Sequence, residues 1–178
     1  MYFEGVHLTD HEASSPMSSA SSTPRAVLAL CLGNICRSPI AEGMLRVHLE
    51  RAGLSIEVDS AGTSGYHEGE APDTRSVAIM STHGHDISSQ RSRQLTLEDF
   101  KRFDLIIAMD QSNLRQARRL APNPECAEKV YLLLDDGAEV PDPYYGGSRG
   151  FEHVYQLINH AAERWVRSWV QGDMAPHS

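Results

Sequence analysis

The run AVLAL at 26–30, followed directly by CLGNICRSP at 31–39, decides the fold. Five apolar residues that stop at turn-forming ones read as a buried strand, too short for a core helix. Pro39 near the first helical position and Gly53 as a stop then define a helix over Pro39–Ala52, with Ile40, Met44 and Val47 on its apolar side. Strand, short loop and helix in that order open a βαβ unit.

The rest of the chain repeats the pattern. Ile56–Val58 reads as a short strand, Asp73–His83 as a helix closed by Gly84, and Thr96 as the N-cap of a short helix. Leu105–Met109 is a second buried run. Ser112–Leu120 is a helix ended by Pro122, and Val130–Leu134 is the fourth strand. Phe151–Gln171 places Phe151, Val154, Leu157, Ile158, Trp165 and Trp169 along one face of a long C-terminal helix. Strands separated by helices predict a single α/β domain, residues 25–172, with a four-stranded parallel sheet, right-handed crossovers and helices on both faces. Ligands in such sheets bind beyond the C-terminal strand ends, so the loop 31–38 is the place to search. Residues 1–24 are Ser-rich and predict a flexible arm. Tyr2-Phe3-Glu4-Gly5 reads as the remnant of a protease-cleavable expression tag, with Met17 as the authentic start, which sets residues 1–16 aside. Residues 173–178 are read as a tail.

With 178 residues the chain can bury a core without disulfides or a structural metal. Sixteen Lys and Arg against 24 Asp and Glu leave a net charge of −8, which argues against nucleic acid as a partner. An anion site on such a body must be local, built from backbone N–H groups and one or two arginines. The apolar runs are too short to cross a bilayer. Three cysteines, Cys31, Cys36 and Cys126, form no disulfide framework, so a reducing, cytoplasmic location is expected.

The loop spells C-x5-R-S. Successive N–H groups in a turn before a helix make an anion nest, and the helix start adds about half a positive charge. The expected cradle is Leu32, Gly33, Asn34, Ile35, Cys36, Arg37 and Ser38, with Gly33 and Asn34 best able to adopt positive φ. Arg37 can fork onto two phosphate oxygens. Helix starts and nearby cations draw thiols toward the thiolate, which makes Cys31 the candidate nucleophile, with Ser38 donating to its sulfur. Attack on phosphorus would give a phosphocysteine. Zinc fits poorly, because Cys31 and Cys36 share one turn and no His or Cys cluster completes a tetrahedron.

A departing alkoxide or phenolate needs a proton. Asp142 in Pro141-Asp142-Pro143-Tyr144-Tyr145 follows the fourth strand and so reaches the same sheet edge. Alone this segment is an ordinary surface turn. Beside the cysteine loop it reads as a general acid, walled by Tyr144 and Tyr145, which can accept an aromatic ring.

With these motifs in place, the chain resembles the low-molecular-weight protein tyrosine phosphatases from about Val27 to Trp169. CLGNICRSP at 31–39, VDSAGTSGY at 58–66, AMDQSN at 108–113 and DPYYGG at 142–147 occur in the family's order. The resemblance implies a doubly wound, flavodoxin-like sheet of order 2-1-3-4 and hydrolysis of phosphotyrosine through Cys31, Arg37 and Asp142. It also implies Asn34 and Ser60 as braces of the loop, Tyr66, Tyr144 and Tyr145 at the entrance, and no metal or cofactor. The implied partners are phosphotyrosine proteins and a tyrosine kinase acting on Tyr144 or Tyr145. Where the family often carries a His before R-Q, this chain has Gln90, which is expected to take over that bracing role. His83 and His85 read as exposed loop residues.

Three neighbouring readings compete with this one. An arsenate reductase of this fold needs a separate redox cysteine pair, whereas Cys126 stands alone in a Pro-rich loop. An arginine phosphatase resembles this pattern but carries Thr where this chain has Ile35. A redox-sensing phosphotyrosine-binding module with little turnover would not need both Arg37 and Asp142. Cys36 is open between a packing role and a protective disulfide with Cys31.

Overall fold

The computed structural model describes residues 22–176. The expected tag remnant and most of the arm lie outside them. Ten elements follow in order: β1 (Ala26–Cys31), α1 (Arg37–Ala52), β2 (Glu57–Gly62), α2 (Thr74–Thr82), α3 (Asp99–Arg102), β3 (Leu105–Ala108), α4 (Gln111–Leu120), α5 (Pro124–Glu128), β4 (Val130–Leu132) and α6 (Ser148–Val170). The strands form one parallel sheet in the order β2-β1-β3-β4. This is the expected architecture.

β1 is buried along its whole length, and its side chains alternate between two cores. Val27, Ala29 and Cys31 face a layer built with α1, α2 and α6, including Ile40, Met44, Met80, Ile158 and Trp165. Leu28 and Leu30 face the opposite layer, with Phe100, Phe103, Leu114 and Ala117 from α3 and α4 and the turn between α3 and β3. A central strand covered on both faces explains the unbroken apolar run. It also fixes Cys31, which is paired in register with Gly62 at the C-terminal edge.

Several boundaries differ from expectation. α1 begins at Arg37, so Pro39 sits at the third helical position. β2 runs on through Asp59-Ser60-Ala61-Gly62, because Ser60 finds hydrogen bonds in place of apolar packing. Thr96 does not cap α3. The relation is inverted: the Asp99 carboxylate accepts from the Thr96 N–H at 2.8 Å and hydroxyl at 3.2 Å. Cys126 lies in helix α5, not in a loop, because Asn123 caps that helix and Pro124 occupies its first turn. His83 is not an exposed loop residue either: it ends α2 and stacks on Tyr155 of α6 at 3.8 Å. At the termini, Thr23 donates to the Trp169 carbonyl, Pro24 is buried, and the Trp169 indole donates to the Met174 carbonyl. Residues on both sides of 25–172 thus hydrogen-bond to the end of α6. Among the described residues, no helix is long and apolar enough to cross a membrane.

Candidate active site

The loop between β1 and α1 is held from outside by its carbonyls. Cys31 O and Leu32 O accept from the N–H groups of Thr63 and Ser64, both at 2.9 Å. Gly33 O accepts from Ser92 Oγ at 3.0 Å, Ile35 O from Asp73 N at 2.8 Å, and Cys36 O from Ser76 Oγ at 3.3 Å. In a trans peptide the N–H points opposite the C=O, so these anchors turn the amides that follow toward the inner side of the loop. Among the described residues, no N–H group from Leu32 to Cys36 has a protein acceptor. A run of five N–H groups without protein partners in one turn before a helix marks an anion cradle.

Asn34 supplies the left-handed residue of the turn, with φ 55°. Gly33 is not at positive φ. Its missing Cβ matters for a different reason: a Cβ there would lie 3.1 Å from the His67 ring. Gly62 is tighter, since a Cβ would stand 2.7 Å from Leu32 O and 3.2 Å from Asn34 N. Glycine at the end of β2 is what lets the loop close against the sheet.

Behind the loop runs a buried polar chain. Asn34 Nδ2 donates both its hydrogens, to Ser38 Oγ at 2.8 Å and Ser60 Oγ at 3.0 Å, and its Oδ1 accepts from Arg93 N at 3.0 Å. With their oxygens so occupied, the serines turn their own hydrogens outward. That of Ser60 goes to Glu42 Oε2 at 2.5 Å. That of Ser38 can reach either Cys31 Sγ at 3.0 Å or the Ala61 carbonyl at 3.4 Å. Glu42 is itself buried, which raises its carboxyl above the usual range, although Ser60 and the Arg46 guanidinium at 2.7 Å pull the other way.

Arg37 is 3% exposed, with NH1 donating to Asp110 Oδ2 at 2.7 Å and the Val140 carbonyl at 2.9 Å. Burial works against its charge, but Cys31 and Asp110 outweigh it and push its pKa up. NH2 lies 3.6 Å from Asp142 Oδ2. Asp142 is bonded locally, accepting from Tyr144 N at 3.1 Å. A cavity of about 450 Å³ opens here, its floor Cys31, Gly33, Ile35 and Arg37 and its rim Tyr66, His67, Asp142, Tyr144 and Tyr145. Tyr66 and Tyr145 are 89% and 95% exposed, so the rim is aromatic and accessible.

Of the expected cradle, Leu32, Gly33, Ile35, Cys36 and Arg37 therefore converge with Cys31, Asp142 and the three tyrosines on one cavity, with Asn34, Ser38 and Ser60 bonded to one another behind it. Gln90 does not join them as expected. Its Nε2 donates to Pro39 O at 3.1 Å and its Oε1 is buried without a partner among the described residues, while the Arg93 backbone serves Asn34. Asp110, Glu42, Asp73, Ser76 and His67 were missed. Asp110 lay in the quoted AMDQSN motif and caps α4 through Asn113 N at 2.7 Å, a double duty that spacing does not reveal. Cys36 is buried with Ile35 and Phe151, and burial followed by the Asp73 charge pushes its thiol up to about 12. Among the described residues, no group of three or more His, Cys, Asp or Glu is placed to hold a metal ion.

Fold and cradle together define a doubly wound α/β protein with an oxyanion site at its first strand–helix turn. The profile of the family described as "Low molecular weight phosphotyrosine protein phosphatase" matches residues 26–174, and the chain belongs to that family. A "Low molecular weight protein-tyrosine-phosphatase" of Streptomyces coelicolor is 44% identical, over 84% of this chain and 98% of that protein. The human "Low molecular weight phosphotyrosine protein phosphatase" is also 44% identical, over 77% of this chain and 90% of its own length. Among solved structures, a protein tyrosine phosphatase from Entamoeba histolytica with Hepes in the active site aligns with a TM-score of 0.79 at 36% identity, over 83% of this chain and 97% of that one. Wzb from Vibrio vulnificus, solved in complex with benzylphosphonate, aligns with a TM-score of 0.74 at 30% identity, over 81% and 98%.

Proposed function

We propose that the protein hydrolyses phosphotyrosine monoesters through a phosphocysteine on Cys31. The observation that carries this reading is the run of partnerless amides from Leu32 to Cys36 beside the Cys31 sulfur. These donors and the free edge of Arg37 bind the three non-bridging phosphate oxygens. The sulfur attacks phosphorus as the bond to the tyrosine oxygen breaks, and Asp142 gives its proton to that oxygen. Water then attacks the phosphocysteine, Asp142 takes a proton back, and the S–P bond breaks to release orthophosphate and the thiolate. Ser38, held as a donor by Asn34, stabilises the sulfur anion in both the attacking and the leaving role.

Tyr66, Tyr144 and Tyr145 form a rim suited to an aryl leaving group, and the relatives' names support phosphotyrosine over phosphoarginine. Phosphotyrosine proteins are thus the substrates, and Tyr145, the more open of the adjacent pair, is the more accessible target for a tyrosine kinase. A thiolate-dependent site suits the reducing cytoplasm. The test is turnover of phosphotyrosine, phosphoserine and phosphoarginine peptides by one preparation, with Cys31→Ser as control. Only phosphotyrosine should turn over, and Cys31→Ser should abolish it with the melting temperature kept. Substantial activity in a clean Cys31→Ser preparation would reject the nucleophile.

A further inference from the structure

We propose that Arg75 is a positioning residue that holds the Asp142 loop in register with the phosphate cradle. This rests on the reading of Asp142 as proton donor. The loop 142–147 has few ties to the rest of the protein. Inside it, Tyr144 N bonds Asp142 and Gly146 N bonds the Pro143 carbonyl. From other elements, among the described residues, it receives the Arg37 contact to Asp142, the Gly150 N–H on the Gly147 carbonyl at 3.0 Å where α6 begins, and one side-chain hydrogen bond, Arg75 NH1 to the Gly146 carbonyl at 3.3 Å. The same guanidinium lies 5.6 Å from the Tyr144 ring centroid and 4.6 Å from that of Phe151.

Arg75 is not a free surface cation. Its Nε and NH2 grip the two oxygens of Asp73 at 3.0 and 2.9 Å. Asp73 in turn holds the cradle, through its N–H on the Ile35 carbonyl, and Ser76 one turn further on holds the Cys36 carbonyl. The start of α2 is therefore a shared footing. One side anchors the outward carbonyls of the phosphate loop, and the other reaches through Arg75 to the loop carrying the acid. Phe151 packs against Ile35 and Cys36 and completes the brace from α6. A planar fork is required, because one group must grip a carboxylate in two places and still reach a carbonyl.

The experiment compares kcat and KM for a phosphotyrosine peptide and for para-nitrophenyl phosphate, whose phenol leaves without a proton, together with inhibition by inorganic phosphate. Misplacing a catalytic group by about 1 Å costs up to about a hundredfold. Arg75→Ala should therefore lower kcat on phosphotyrosine by about ten- to a hundredfold, slow nitrophenyl phosphate distinctly less, and leave phosphate inhibition unchanged. Arg75→Lys should show the same selective loss, which keeps the question answerable if the alanine variant folds poorly. In an Asp142→Ala background Arg75→Ala should add no further slowing, since both act through one step. Equal slowing of both substrates, weaker phosphate inhibition, or independent effects in the double variant would overturn the proposal. If Asp142→Ala itself does not discriminate between the two substrates, the proton-donor assignment falls, and this proposal falls with it.

Discussion

Replacing Asn34 by alanine tests the cradle at its most connected point. The side chain is 2% exposed and makes three hydrogen bonds, to Ser38, to Ser60 and from Arg93 N, of 2.8–3.0 Å. At about 1 kcal/mol each their loss amounts to about 3 kcal/mol. The backbone stays at φ 55°, where an alanine costs about 1 kcal/mol more than a residue suited to the left-handed region. The expected loss is about 4 kcal/mol, large against a typical stability of about 5–15 kcal/mol. In a domain of this size it corresponds to a melting temperature lower by about 12 °C. Urea unfolding followed by Trp165 and Trp169 fluorescence reads the change, and the midpoint should fall without a change in slope. Alkylation of Cys31 by iodoacetamide supplies a second readout. With Asn34 gone, the Ser38 hydrogen is no longer directed at the sulfur and the reaction should slow. A loss below about 1 kcal/mol with unchanged alkylation would refute the network as the organiser of the loop.

Asp142→Ala should slow phosphotyrosine hydrolysis by about 10²- to 10⁴-fold, but slow an aryl phosphate with an acidic phenol much less, and should erase the fall in activity toward alkaline pH; a persisting alkaline limb would return the segment to an ordinary turn. Burial holds the Glu42 carboxyl above its ordinary range, so the native state keeps a proton that the unfolded chain has shed. Its contribution is therefore full below the ordinary carboxylate range and lost as pH rises through the native pKa. Urea midpoints at pH about 5 and about 7.5 should accordingly fall more in wild type than in Glu42→Gln, and parallel behaviour would remove Glu42 from the account. Mild peroxide should join Cys31, oxidised first, to Cys36. With the Cys36 thiol raised to about 12, closure should speed up about tenfold per pH unit across neutrality. Mass spectra showing sulfinic or sulfonic Cys31 with Cys36 free would exclude the pairing.

The elements most legible in the sequence are those whose burial is uniform. β1 and β3 are covered on both faces, so their runs contain nothing but apolar residues, and the loop after β1 could be located from them alone. β2 was read short because its second half carries Asp59 and Ser60, whose partners come from distant segments. Helix α5 is hidden in a segment that reads as a Pro-rich loop after Pro122, although Pro124 stands at a helix start behind the capping Asn123. Glu42 looks in sequence like any polar residue of an amphipathic helix. Its burial follows from β2 packing against α1, which no local pattern encodes. Gln90 was placed by analogy of position, but the bond to Asn34 comes from the Arg93 main chain, which carries no residue-type signal.

The partnerless amides of the cradle have a consequence for the protein at rest. A loop that withholds five donors from the fold gives up hydrogen bonds the folded chain could have had, and any oxyanion of the right size restores them. Orthophosphate, the product, is such an anion. Its binding raises the unfolding free energy by RT ln(1 + [L]/Kd), about 2.7 kcal/mol at a hundredfold excess over Kd. The phosphate concentration around the protein thus sets two quantities at once, how long the folded chain survives heating and how much of it is free to take substrate, and any condition that lengthens the first shortens the second.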